Sequence, residues 1–563
     1  MRKLILLILL LTACQASEAI APLAPVQVTP TSQKLNSHPA PGFSKGVKPA
    51  SASPIKPTFT PDSTSTQTPL PDPTRIQATS PYQPVEYIAQ SGDTLQAVAF
   101  RFDLQPNQIV SRQPLAYHGL LTPGQKLLFP KHTRETQANT IDIQSTHLFP
   151  DSQIVYSPSA AGFDVRQYLD ESGGFLSTYR EYLGSTAWTD ASQVITRITL
   201  ENSINPRLLL ALMEYECGCV LGQSSGGLAD GYVLGVEDFR HRWLYRQLGW
   251  AINQLSAGYY GWRSGAWREF SLPDGRIVRP APDSNAGSAA LAYYFANLAA
   301  QKAIQTVPVG QRQRAGTIQV SDEAWMQALE PSSGFPALYQ RMFGDPWALA
   351  AQVEPLLPVG LMQPEMILPF EPDLVWSFSS GPHKAWQTDG ALAALDFAPS
   401  SKESGCVQSD HWVVAVADGP VVRSGNGFII QDLDGPDARG EPVVSDWSEQ
   451  TGWAVLYMHL ATLDKVPEGT YLHAEERIGH PSCEGGPATG THLHIARKFN
   501  GEWMAAAGPL PFVMSGWLPQ AGAMPYQGSL RRGHQTVFAH TSGSRSTWIS
   551  RQDTATPTPS PAP

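Results

Sequence analysis

The chain has 563 residues and a net charge of −10, with only 16 % charged residues but 49 prolines and 47 glycines. That length exceeds one ordinary domain and suggests about three or four units. The acidic balance argues against a nucleic-acid binder, which needs a basic face, and the Pro and Gly content fits an exported chain with long linkers.

Met1-Arg2-Lys3 gives a positive start, and Leu4 to Leu11 is an unbroken apolar run. The run is too short for a membrane span and right for a signal-peptide core. It leads into Leu11-Thr12-Ala13-Cys14, which resembles the lipobox of bacterial lipoproteins. That resemblance implies a signal segment over 1–14, acylation of Cys14 and an extracytoplasmic chain anchored in the membrane and facing the cell wall. Residues 15–84 are rich in Pro, Ser, Thr and Ala. They lack the apolar surface to offset chain entropy and are expected to form a disordered tether.

An ordered unit is expected over 86–131. A first strand turns at Ser91-Gly92-Asp93, and Asp93 or Thr94 can cap a helix with Leu95, Val98, Ala99 and Phe102 on its apolar face. Pro123-Gly124 then turns the chain into a closing strand. The segment resembles LysM modules. This implies a small βααβ fold that binds the N-acetylglucosamine of peptidoglycan or chitin.

Residues 132–162 read as a second linker, and 163–350 as a helical domain. Pro206 stands where a helix can begin, with Leu208, Leu209, Leu210, Leu212 and Met213 on its buried face. The run from Asn205 to Gly218 resembles the first motif of lysozyme-like transglycosylases, in which an apolar helix ends in a catalytic Glu. The resemblance places Glu216 on the glycosidase acid and Cys217 on the following Ser. A carboxyl at a buried helix end can acquire the raised pKa that glycosidic cleavage needs. The alternative is a helical domain that only positions its neighbours. Cys217 and Cys219 are expected to be too close for an easy mutual bridge.

From 372 to 527 the pattern turns to β, with strands expected in Val413–Val422, Trp453–Leu460 and Gly490–Lys498. Their Gly-, Pro- and Asp-containing turns suggest an antiparallel domain. His492 and His494 are two residues apart, so on a strand both rings point to one face. Such a pair suits a zinc hydrolase, one ring on the metal and the other beside it.

Four motifs then align: Ser380-Gly381-Pro382-His383, Ala394-Leu395-Asp396-Phe397, Tyr457-Met458-His459-Leu460 and His492-Leu493-His494. Together they resemble the M23 zinc metallopeptidases, the lysostaphin and β-lytic group that cleaves peptidoglycan peptides. Much of that family has its first His four residues before the Asp, where this chain has Leu392. The β-lytic branch uses an upstream Gly-x-His, and His383 fits it. The resemblance implies His383, Asp396 and His494 as Zn²⁺ ligands, with a fourth position left for water. It implies His459 and His492 as catalytic residues, one taking a proton and the other stabilising the oxyanion.

Cys406 and Cys483 are expected to bridge beside the site. Residues 528–563 are expected to form a disordered tail.

The expected whole is a multidomain α+β chain. It comprises the βααβ module, a lysozyme-like helical domain and a mostly antiparallel β peptidase domain. Its expected function is a zinc-dependent endopeptidase that cuts stem or cross-bridge peptides of peptidoglycan. Its partners are the wall glycan, held by the LysM-like segment, and the membrane, reached through the lipid anchor; nucleic acid is not among them. The alternatives are a glycan-cleaving enzyme led by Glu216, or a non-catalytic wall-binding or activator protein.

Overall fold

Alternation along the central strands explains how the C-terminal half is assembled. In the computed structural model, eight strands form an antiparallel sheet in the spatial order Tyr471–Leu472, Gly419–Gly425, Phe428–Asp432, Trp453–Met458, Leu493–Phe499, Ala394–Pro399, Trp376–His383 and Trp548–Ile549. A short strand, Glu502–Trp503, pairs back onto Leu493–Phe499. The structure describes residues 84–551, apart from 131–137, 224–229, 309–310, 313–317, 387–388, 402, 434, 437–441 and 444. The signal segment, Cys14, the tether up to residue 83 and the tail beyond 551 lie outside the described residues.

The two faces of this sheet bury different partners. Leu395, Phe397, Ile495, Leu493, Tyr457 and Val455 enter the core of the C-terminal half itself. The residues between them, Ala394, Ala496, Leu456 and Ala454, join the core of the helical region. Side chains alternate faces with period two, so one face is roofed by helices and the other by the domain's own loops and edge strands. Asp396 and His494 belong to the same alternation as Ala394 and Ala496. The helices therefore cover part of the face on which these two residues stand.

The helical region is built on Ala191–Asn202, Pro206–Cys217, Leu244–Ser264 and Ala286–Thr306. Asp190 and Asn205 cap the first two by accepting from Gln193 and Arg207 backbone N–H groups. Its join to the sheet is polar at depth. Arg263 reaches Glu502 at 2.8 Å and Asp151 at 3.3 Å, and the Tyr259 hydroxyl donates to Glu502 at 3.1 Å. The Trp503 amide donates to the Tyr260 hydroxyl at 3.0 Å. Breaking a buried pair by removing one partner costs roughly 3–5 kcal/mol, so this contact resists separation of the two regions.

The LysM-like segment has strands Val85–Ile88 and Lys126–Phe129, paired antiparallel, and a helix Leu95–Arg101 capped by Thr94. The second helix of the expected βααβ order is replaced by a single 3₁₀ turn, Pro106–Gln108. Pro106 opens that turn at its first position, and Pro114 disfavours helical backbone at Gln113, so little room is left for a full α-helix. The segment docks on the helical region. Arg268 pairs with Asp103 at 2.5 Å, and the Gln90 side chain donates to the Asp283 carbonyl at 2.9 Å.

Three further expectations are corrected. Residues 138–162 are not a linker: Thr140–Ile143 pairs in parallel with Ile277–Pro280, and Leu148, Phe149, Ile154 and Val155 are buried. The strand partner lies far along the chain, so no local pattern announces it. Residues 528–551 are not a disordered tail. They form strands Ser529–Arg532, Gln535–Phe538 and Trp548–Ile549, with Leu530, Val537 and Ile549 buried. Each strand buries a single apolar residue, too few to register as periodicity.

Cys217 and Cys219 are bridged. Gly218 between them adopts a left-handed φ of +57°, which folds the chain back and brings the two Cα atoms to 5.2 Å. Among the described residues, no helix is long and apolar enough to cross a membrane.

Candidate metal centre and cleft

Backbone register places the site residues. On the strand Leu493–Phe499, His494 lies opposite Asp396 on one side and Met458 on the other. Facing partners share a face of the sheet. His383 reaches the same face by a different route. Two bulges interrupt the pairing of Trp376–His383 with Ala394–Pro399, one between Phe378 and Ser380 and one between Ser380 and His383. Each adds one residue, so His383 pairs with Ala394 and points to the Asp396 side. Gly381 makes this possible. It has φ +131°, and a Cβ there would stand 2.9 Å from the Leu395 side chain.

His459 breaks the alternation. It follows Met458, which faces the cleft, so a continued strand would turn its ring into the opposite core. Instead His459 takes a left-handed φ of +64°, uncommon for a non-glycine residue. Its ring centroid lies 4.4 Å from that of His492 and 6.1 Å from that of His494. Backbone strain of this kind is found at sites that need it.

His383, Asp396 and His494 are buried, with ligand atoms all within 4.8 Å of one another. His383 Nε2 stands 2.9 Å and His494 Nδ1 3.3 Å from Asp396 Oδ1. His492 Nε2 is 3.9 Å from Asp396 Oδ2. His383 Nε2 and Asp396 Oδ1 have no hydrogen-bond partner despite their burial. They approach without hydrogen-bond geometry, as two ligands of one metal ion would. Ligands about 2.1 Å from a zinc ion would stand roughly 3–3.5 Å apart, so the donor set and its spacing fit that metal.

The other nitrogen of each ring is fixed by a carbonyl oxygen. His383 Nδ1 meets Lys384 O at 3.2 Å, His494 Nε2 meets Ala385 O at 2.9 Å, His459 Nδ1 meets Glu484 O at 2.8 Å and His492 Nδ1 meets Gly490 O at 2.7 Å. A carbonyl can only accept, so these nitrogens carry the protons. The remaining lone pairs, on His383 Nε2, His494 Nδ1, His459 Nε2 and His492 Nε2, are free to face the site.

Electrostatics act in the same direction on His459 and His494. Burial pushes the His459 ring down, and His492 and His494 add to this, to a pKa of about 4. Burial likewise lowers His494, against the pull of Asp396. Burial alone would raise the Asp396 carboxyl, but His383 and His494 outweigh it and hold the group well below the usual carboxylate range. The site thus gathers imidazole nitrogens around one carboxylate.

These residues line a cleft of about 1490 Å³. Cys406 and Cys483 are bridged, and loop residues on either side, Gly405, Val407 and Gly486, form part of its wall. Two lining aromatics carried no signal in the sequence. The Tyr526 ring stacks on His383 with centroids 4.7 Å apart and planes within 14°. Trp548 lies in the stretch read as tail. Neither belongs to a motif, and tertiary packing alone brings them here.

Among the described residues, those lining this cleft lie between 377 and 548, and Glu216 is not one of them. It sits at the end of Pro206–Cys217 with its carboxylate 2.6 Å from Lys302 Nζ. Burial raises its pKa, opposed by Lys302.

Comparison with known proteins matches two segments to family models. A model of the LysM domain matches residues 87–130, and a model of the LasA N-terminal domain matches 147–356, across the stretch read as lysozyme-like. Protease LasA of Pseudomonas aeruginosa strain UCBPP-PA14 is 24 % identical over 368 residues, 64 % of this chain and 75 % of LasA. The PAO1 strain gives the same figures.

Among solved structures, the M23 metalloprotease pseudoalterin from the deep sea overlaps 31 % of this chain and 95 % of its own at 19 % identity, with a TM-score of 0.24. A zinc-containing peptidase from Vibrio cholerae overlaps 26 % and 40 % at 16 % identity, TM-score 0.18. The catalytic domain of lysostaphin from Staphylococcus simulans overlaps 24 % and 89 % at 21 % identity, TM-score 0.16. Whole-chain overlap at these scores is slight.

Proposed function

We propose that this chain is a zinc-dependent endopeptidase of the cell wall. It cuts stem or cross-bridge peptide bonds of peptidoglycan while the LysM segment holds the glycan. The observation that carries this reading is the convergence of His383, Asp396 and His494 on one point of an open cleft, with His459 and His492 beside it. The match at 87–130 supports the wall as the place of action, and the similarity to a protease supports the reaction class.

His383 Nε2, an Asp396 oxygen and His494 Nδ1 would hold the metal. Bound there, zinc supplies Lewis acidity toward a peptide carbonyl and lowers the pKa of water. The chain's own groups do the rest. His459 and His492 are held by carbonyls at Nδ1 and present Nε2, so either can accept a proton there and return it to a leaving amine. A ring that has taken up a proton at Nε2 can in turn donate toward a developing oxyanion. Tyr526, packed flat on His383, keeps that ring in its plane.

Muropeptide analysis of digested peptidoglycan tests the reaction. New amino termini are expected, in the wild-type chain and equally in Glu216→Gln. Reducing or anhydro sugar ends that vanish in Glu216→Gln would shift the assignment to a glycan-cleaving enzyme. A correctly folded chain that binds no zinc and cuts nothing would favour a non-catalytic wall-binding role.

The membrane anchor at Cys14 belongs to the same proposal and is tested separately. Cys14→Ser is expected to move the protein from the membrane fraction to the soluble one; an unchanged distribution would rule out this anchor.

A further inference from the structure

The cleft does not end at the metal centre. Trp548 pairs with Ser377, and Ser377 with Ala398, which stands two residues along its strand from Asp396. Facing partners share a face, and so do residues two apart. Trp548 therefore projects from the same face of the sheet as Asp396, and its neighbour Ile549 enters the core on the other side. Two strand spacings across and two residues along place it on the order of 12 Å from Asp396, backbone to backbone.

The ring is held and yet accessible. Its Nε1 donates to the Gly543 carbonyl at 3.1 Å, the Arg545 guanidinium lies 5.7 Å from its centroid, and the residue remains 39 % exposed. The floor between it and the metal centre is made of the small residues Ser377 and Ala398, and Ser400, Thr541 and Ser542 line the same cleft.

The strand edge carrying this ring lies outside the four motifs that make the metal centre. A flat ring with apolar C–H faces and a rim of hydroxyls finds both an aromatic plate and hydrogen-bonding partners.

We propose that Trp548 forms a saccharide subsite, which takes a sugar ring of the glycan that carries the peptide being cut. The proposal rests on the function proposed above and names a second place, apart from the LysM segment, where the chain holds glycan. Trp548 would determine specificity between glycan-attached and free peptides and would take no part in the chemistry.

The test compares the full-length wild type with Trp548→Ala and Trp548→Phe on two soluble substrates: a disaccharide-linked peptide and the same peptide freed of sugar. Trp548→Ala is expected to raise KM for the sugar-bearing substrate by roughly 10-fold, the scale of one aromatic contact. kcat should be unchanged, as should both constants for the free peptide. Trp548→Phe should restore most of the loss. An equal loss on both substrates, or no loss on either, overturns the subsite.

Calorimetric binding of the disaccharide-linked peptide separates this from failure of the parent reading. The LysM segment contributes equally to all three chains, so Trp548→Ala should lose one class of sites. A wild-type chain that shows that class but cleaves nothing would count against the peptidase and leave the subsite standing. An unchanged isotherm in Trp548→Ala would overturn the subsite whatever the activity.

Discussion

Asp396→Ala is expected to remove bound zinc and peptide cleavage together. Asp396 supplies the only carboxylate of the buried triad, and its Oδ1 is the atom that both His383 Nε2 and His494 Nδ1 approach. Without it, two imidazoles remain, and catalytic zinc is ordinarily held by three protein ligands. Cleavage should fall by at least roughly 10³-fold, beyond the 10–100-fold that follows loss of a group behind a ligand.

The fold should survive this change. Asp396 contributes to the sheet through its backbone, and Ala is accommodated at neighbouring positions 394 and 398 of the same strand. The measurement is zinc per chain beside peptidoglycan cleavage, with a thermal melt as the control. Full zinc occupancy and undiminished turnover in Asp396→Ala would show that the metal, if any, is held elsewhere.

His459→Ala should separate binding from chemistry. His459 lies beside the triad, with its ring centroid 6.1 Å from that of His494 and its Nδ1 committed to the Glu484 carbonyl. Zinc should stay bound, while turnover drops by roughly 10²-fold or more, the usual scale for a positioned proton-transfer or oxyanion group. Relief of the left-handed φ at residue 459 is no confounder, because Ala carries a Cβ as His does. His494→Ala should lose zinc as well as activity, since its Nδ1 belongs to the triad. If His459→Ala loses its zinc while His494→Ala keeps it, the division of roles is reversed. If both variants keep zinc and turnover, the cleft is not a peptidase site.

Some of this protein can be read directly from its residues. The His492–His494 spacing fixes a shared face on any strand, because side-chain period is a property of the backbone and needs no partner. The helix from Pro206 and the Thr94-capped helix announce themselves through caps and apolar spacing, again local features. The five candidate residues, His383, Asp396, His459, His492 and His494, were recognisable as motifs.

What only the tertiary structure decided is how those motifs meet. His383 reaches the Asp396 face through two bulges, and His459 through a positive φ; neither follows from alternation. The roofing of one sheet face by helices depends on contacts such as Arg263 to Glu502, separated by 239 residues. Thr140–Ile143 and Trp548–Ile549 are strands only because distant partners, Ile277–Pro280 and Trp376–His383, offer unpaired edges. Short strands gain their stability from the neighbour they pair with and not from their own composition. The stretch from 528 to 551 was therefore invisible as structure in the sequence, although it supplies Trp548 to the wall of the cleft.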